Sequence, residues 1–129
     1  MDDLYLTNFY DELAGMAAGF EDAPEIGPHT RSRVGDTPLH IAAIRGDVKA
    51  IGLLLDLSAD INARGENGYT ALHYAVAQER PDVVRLLLGR GADKDIRFFD
   101  GRGQTADELA HCSLIINNEI IILLQNRAA

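Results

Sequence analysis

The chain has one cysteine, Cys112, which excludes an internal disulfide and any zinc site built on paired thiolates. It lacks an apolar run near the ~20 residues needed to span a bilayer. The longest candidate, Leu114 to Ile116 and then Ile120 to Leu124, is interrupted by Asn117, Asn118 and Glu119. Positive charge is missing from residues 1–25, which hold Asp2, Asp3, Asp11, Glu12, Glu21, Asp22 and Glu25. Those carboxylates account for −7 of the net −8, so the remainder is nearly neutral. Nucleic acid and anionic membrane demand a cationic footprint, so neither is expected as a partner. Met1-Asp2-Asp3 is acidic where a secretory signal is basic, and the cytosol is the expected compartment.

Catalytic motifs are also missing, and no cofactor or metal is expected. His40 and His73 lie one repeat apart, on the order of 10 Å in packed helices, too far to share an ion. Their expected task is hydrogen bonding to backbone in a neighbouring loop. His111-Cys112 could suggest a nucleophile pair, but adjacent helical side chains diverge. Asp107 and Glu108 diverge for the same reason. Gly101-Arg102-Gly103 lacks the glycine spacing and the Lys-Ser/Thr of a phosphate loop.

What is present is a repeat. Thr37-Pro38-Leu39-His40-Ile41-Ala42-Ala43 returns as Thr70-Ala71-Leu72-His73-Tyr74-Ala75-Val76, and Leu53-Leu54-Leu55 returns as Leu86-Leu87-Leu88. Ala59-Asp60 returns as Ala92-Asp93, all at an offset of 33. Chains built this way stack units and present a surface, which points to binding rather than chemistry.

Each unit reads as a helix pair. Thr37 opens a short helix with Pro38 in its first turn and Leu39, Ala42 and Ala43 inward. Gly46 turns the chain into a helix over about 48–57 with Val48, Ile51, Leu54 and Leu55 inward. Asn67-Gly68 favours a tight hairpin turn. The second unit opens at Thr70, and Pro81 starts its second helix. The third begins at Thr105, 35 residues after Thr70, and carries Asp107-Glu108 where earlier copies have Leu-His. Polar residues there suit a closing unit, whose last helix lies around 118–125. Residues 4–20 place Leu6, Phe9, Tyr10, Leu13, Met16, Ala17 and Phe20 on one helical face that covers the open end of the stack.

These motifs, with the period of 33 and Gly91-Ala92-Asp93, resemble the ankyrin repeat over about residues 30–125. The resemblance implies an all-α solenoid of stacked helix-turn-helix units with projecting hairpin loops. Expected boundaries are 1–30 for a capping helix and loop, 31–63 and 64–97 for two repeats, and 98–129 for a C-terminal capping repeat. Glu79-Arg80 departs from the usual Gly-His turn, and Ser58 stands where Gly is usual.

Carried over position by position, the outward slots of the first repeat are Arg33, Val34, Asp36, Ile44 and Arg45. Those of the second are Arg64, Glu66, Asn67, Tyr69, Ala77 and Gln78. The third supplies Arg97, Arg102, Gln104, Cys112 and Ser113. Of these, Arg33, Asp36, Arg45, Arg64, Glu66, Tyr69, Gln78, Arg97 and Arg102 are the candidate partner-binding residues, since Tyr and Arg carry much interface energy. The expected function is a non-catalytic module, monomeric alone, that occludes or inhibits a protein partner. A toxin-neutralising immunity protein is its sharper form. The acidic end suggests a basic partner. An adaptor joining two proteins is the second reading.

Overall fold

Pro38 lacks an N–H, and at the first helical position that N–H would have no intrahelical partner. The helix it opens, α2 (Pro38–Arg45), ends at Gly46 in the left-handed region. It is followed by α3 (Val48–Asp56), where the Asp47 carboxylate accepts from Ala50 N at 3.0 Å. The same pair recurs as α4 (Ala71–Ala77) with α5 (Pro81–Gly89), and as α6 (Ala106–Cys112) with α7 (Asn118–Gln125). Ahead of them lies α1 (Asp2–Gly15). This computed structural model describes residues 2–15, 19–20, 25–112 and 118–125. Among them every regular element is helical. Met16, Ala17 and Ser113, named above, lie outside the described residues, as does the side chain of Cys112.

The helices form two rows. The inner row is α2, α4 and α6, each touching the next, and the outer row is α1, α3, α5 and α7. Small residues face the inner seam: Ala42, Ala43, Ala71, Ala75, Ala106 and Ala110 are all buried. Larger ones fill the space between rows, with Leu39, Ile51, Leu54, Leu72 and Leu87 at 1% exposure or less. Leu6, Phe9 and Leu13 of α1 are buried and α1 packs on the outer helix of the first pair, but the helix ends at Gly15, and Phe20, expected on its face, is buried beyond it in non-helical chain. One inward assignment fails. Val48 is 41% exposed and Ala50 is buried instead, because Ala50 shares the helical stripe of Ile51 and Leu54 while Val48 lies to one side of it.

Where glycine is usual, two other residues adopt the same backbone. Glu79 has φ 53° in the position of Gly46 at 75°, and Ser58 has φ 68° in the position of Gly91 at 91°. A side chain there brings Cβ against the following carbonyl, costing roughly 1–2 kcal/mol. Ser58→Gly and Glu79→Gly should therefore each raise stability by about 1 kcal/mol, read as a higher urea midpoint at constant slope.

Outer-row ion pairs add little. Arg90 meets Asp56 at 2.9 Å across α5 and α3, but both side chains are well exposed. Such pairs contribute under about 1 kcal/mol.

Candidate partner-binding face

Three loops project ahead of α2, α4 and α6, and local chemistry shapes each. In the second, Asn67 has φ 58° and Gly68 φ 79°, and Tyr69 N donates to Glu66 O at 3.1 Å. Gly65 N donates to Tyr69 O at 2.8 Å below this turn, which makes it a two-residue hairpin of the primed kind. Asp100-Gly101 repeats the turn in the third loop, where Arg102 N donates to Phe99 O at 3.1 Å. In the first loop Ser32 N donates to Asp36 O at 2.7 Å.

Histidines bind each loop to the next. His40 Nδ1 accepts from Thr37 N at 2.9 Å, which leaves the proton on Nε2, and Nε2–H donates to Ala63 O at 2.9 Å. His73 repeats this with Thr70 N at 3.1 Å and Gln104 O at 3.0 Å. The expected backbone-bonding task is therefore what both imidazoles perform. Burial pushes the pKa of each down, more strongly than Asp36 pulls His40 up or backbone carbonyls pull His73 up. In the third unit Glu108 occupies the histidine position. It accepts from Thr105 N at 3.3 Å and takes Arg97 in two parallel bonds of 2.6 and 2.9 Å. That fork depresses the Glu108 pKa.

A second set of ties runs along the hairpin edge. Arg31 Nη1 donates to Gly35 O and to Arg64 O, both at 2.7 Å. Arg64 Nη1 donates to Arg97 O at 3.0 Å, and Arg97 ends the series on Glu108. Arg31, Arg64 and Arg97 stand 33 residues apart, so the repeat period itself builds an arginine ladder. Arg31 is not among the residues carried over from the resemblance, although its recurrence at the period of 33 is visible in the sequence.

Aromatic rings fill the space between the second and third loops. Tyr69 lies 4.6 Å from Phe98 and 5.3 Å from Tyr74 between ring centroids, and Phe98 lies 4.8 Å from Phe99. Phe98 is buried, Tyr69 and Tyr74 are half-buried, and Phe99 is 47% exposed on the hairpin tip. Burial and the Asp36 carboxylate push the Tyr74 pKa well up, so its hydroxyl stays a donor.

The sequence-predicted residues are thus distributed unevenly. Arg33, Arg64, Glu66, Gln78, Arg97 and Arg102 are exposed on loops or on α4's end. Asp36 is a correction: it does not point outward and is 5% exposed. Its Oδ1 accepts from Glu66 N at 2.9 Å and Tyr74 Oη at 3.0 Å, so it joins the first loop to the second. Arg45 is half-buried, paired with Glu12 of α1 at 2.8 Å and lying 5.5 Å over the Phe9 ring. It fastens the capping helix. Gln104 offers its carbonyl to His73. Phe99 was overlooked because the longer third loop shifts the motif alignment, although it corresponds to Glu66 at the period.

Two rows of helices with a shaped loop edge, tied loop to loop by buried histidines, define a stacked helical-repeat protein that presents one long face. A family model for ankyrin repeats, in three copies, matches residues 12–98. The chain belongs to the ankyrin-repeat family. The match begins within α1 and stops at Phe98, before α6 and α7. The chain is 33% identical over 100 residues to protein phosphatase 1 regulatory subunit 27 of Mus musculus, covering 78% of this chain and 65% of that protein. It is 40% identical over 67 residues to the Homo sapiens protein of that name, covering 52% and 44%. It is also 43% identical over 92 residues to neurogenic locus notch homolog protein 1 of Xenopus laevis, covering 70% of this chain and 4% of that protein. The chain therefore spans less than two thirds of the length of these curated relatives. Ankyrin repeats are protein-interaction units. Among the described residues no helix is long and apolar enough to cross a membrane.

Proposed function

We propose that this chain is a non-catalytic binding module, monomeric and cytoplasmic, that acts by covering a working surface of one protein partner. The observation that carries the reading is the hairpin edge. Its rings and guanidiniums are held in place by Asp36, His40, His73 and Glu108 before any partner arrives, and such preorganisation reduces the entropic cost of binding. Similarity to a phosphatase regulatory subunit supports inhibition or regulation by occlusion. A toxin-neutralising immunity role is the same mechanism with a different partner. The recurrence of Arg31, Arg64 and Arg97 supports repeat units opening at 31 and 64, with a third opening at 97.

One observation favours an adaptor as a second reading. Asp11, Glu12 and Glu25 are exposed at the α1 end, suited to a basic partner, whereas the hairpin edge is rich in arginine. Two surfaces of opposite sign could hold two proteins.

The test uses side chains that project without holding the fold. Glu66, Gln78, Phe99 and Arg102 replaced together by alanine should weaken capture of the native partner at least about tenfold while the melting temperature shifts little. Arg45, Arg64 and Tyr69 are poor choices for such a set, because each ties one unit or helix to another, whereas the Phe99 ring packs on its chain neighbour Phe98 within one loop. Unchanged capture by the folded quadruple variant would remove the hairpin edge from the reading.

A further inference from the structure

The three loops between 31–36, 64–69 and 97–104 hold Arg31, Arg33, Arg64, Arg97 and Arg102 against Asp36, Glu66 and Asp100. This edge is cationic in a chain of net −8. Asp36 is buried and committed to Glu66 N and Tyr74, and Glu108 is committed to Arg97. Arg31 and Arg64 are different. Both are exposed, and each uses only Nη1, on backbone carbonyls. Their Nε–Nη2 edges, the geometry that forms two parallel bonds to a carboxylate, carry no bond among the described residues. The Nη1 bonds fix both guanidiniums in advance, so little rotamer freedom remains to be lost on binding.

We infer that Arg31 and Arg64 are a pair of carboxylate-reading rungs for an acidic, extended segment of the partner protein, with acidic side chains three residues apart. This rests on the binding-face reading proposed above and adds the chemistry of what is bound. The rungs belong to adjacent stacked units, spaced by about 10 Å. A polyproline II segment returns to the same face every third residue, after about 9.3 Å at its rise of ~3.1 Å per residue. A β-strand does not fit, since side chains three apart face opposite ways. A protein segment is favoured over a nucleic acid strand because the cationic track is short and the rest of the chain repels a polyanion. The acidic end of α1 thus has no part in this contact, and the basic partner expected from composition belongs to the other surface.

Fluorescence anisotropy with short labelled peptides of Pro/Ser background tests this. One peptide has Glu at positions i and i+3, a second has Glu at i and i+1, and a third has Gln at i and i+3. The first should bind at least about tenfold more tightly than either of the others. Arg31→Lys with Arg64→Lys keeps the charge but loses the fork, and should abolish the preference for i,i+3 spacing. Equal affinity for both Glu spacings would overturn the inference, as would an unchanged preference in the double lysine variant. Tighter binding of a single-stranded RNA oligomer than of the first peptide would overturn it too. Because the peptide arms need no protein variant, a folding defect cannot obscure the result. If spacing has no effect while the Glu66/Gln78/Phe99/Arg102 variant still loses its partner, this inference fails and the binding face stands.

Discussion

Lowering the pH from about 7.5 to about 5.5 is expected to destabilise the fold progressively, with a slope that steepens as the pH falls through 6.5. The cause is the pair of buried imidazoles. His40 and His73 titrate below their ordinary 6.5 in the folded chain, because burial disfavours the imidazolium. The unfolded chain binds protons at about 6.5 on both. Between the folded and unfolded values the unfolded state therefore holds more protons, so stability rises with pH there and falls as acid is added. Each histidine contributes up to about 1.4 kcal/mol per pH unit in that window, and neither contributes above it. Protonation also removes the Nδ1 lone pair that accepts from Thr37 N or Thr70 N, which leaves donor facing donor. Charged neighbours act differently on the two. Asp36 pulls His40 up and Arg31 pushes it down, and Arg64 pushes His73 down. Glu108 titrates below its ordinary 4.5, so its contribution is held above 4.5 and lost only in stronger acid. Urea midpoints at several pH values read the slope directly, and His40→Gln should roughly halve it. A flat profile from about 7.5 to 5.5 would mean that the imidazoles are not what binds loop to loop.

The period of 33 made the stack legible, since a unit that cannot bury its apolar face alone must lie against a copy of itself. Helix starts at Pro38 and Pro81 followed from local chemistry, and so did the Asn67-Gly68 turn. The binding face was less legible, for a specific reason. Residues beside the motif are not all outward, because some of those positions form links between units. Asp36 precedes Thr37 and looked like loop surface, yet its carboxylate reaches the second loop. Tyr69 looked like an exposed ring, yet Phe98 of the next unit covers it. Both partners are one unit away, so no window around Asp36 or Tyr69 contains them. A charged residue that recurs at the period has a task common to all units, whereas one that varies, such as Glu66 against Phe99, has no such shared task.

Gly65→Ala is expected to destabilise the protein by about 3 kcal/mol or more, although the substitution usually helps. Gly65 has φ −100° and ψ −143°, and the larger obstacle to a side chain there is space. An added Cβ would collide with the Asp36 carboxylate and would stand 3.1 Å from His40 Nε2. Shifting Asp36 breaks its bonds to Glu66 N and Tyr74 and leaves a buried carboxylate short of partners, at about 1–3 kcal/mol for each lost bond. Overpacking adds about 1–3 kcal/mol. Gly52, in the middle of α3, has nothing within 4 Å of its Cβ position. There the same change should stabilise by about 0.5–1 kcal/mol, through helix propensity alone. Urea unfolding of both variants should therefore move the midpoint in opposite directions. Equal and small shifts would mean that the first two loops are not locked through Asp36, and the preorganised edge that the binding mechanism needs would be lost with that lock.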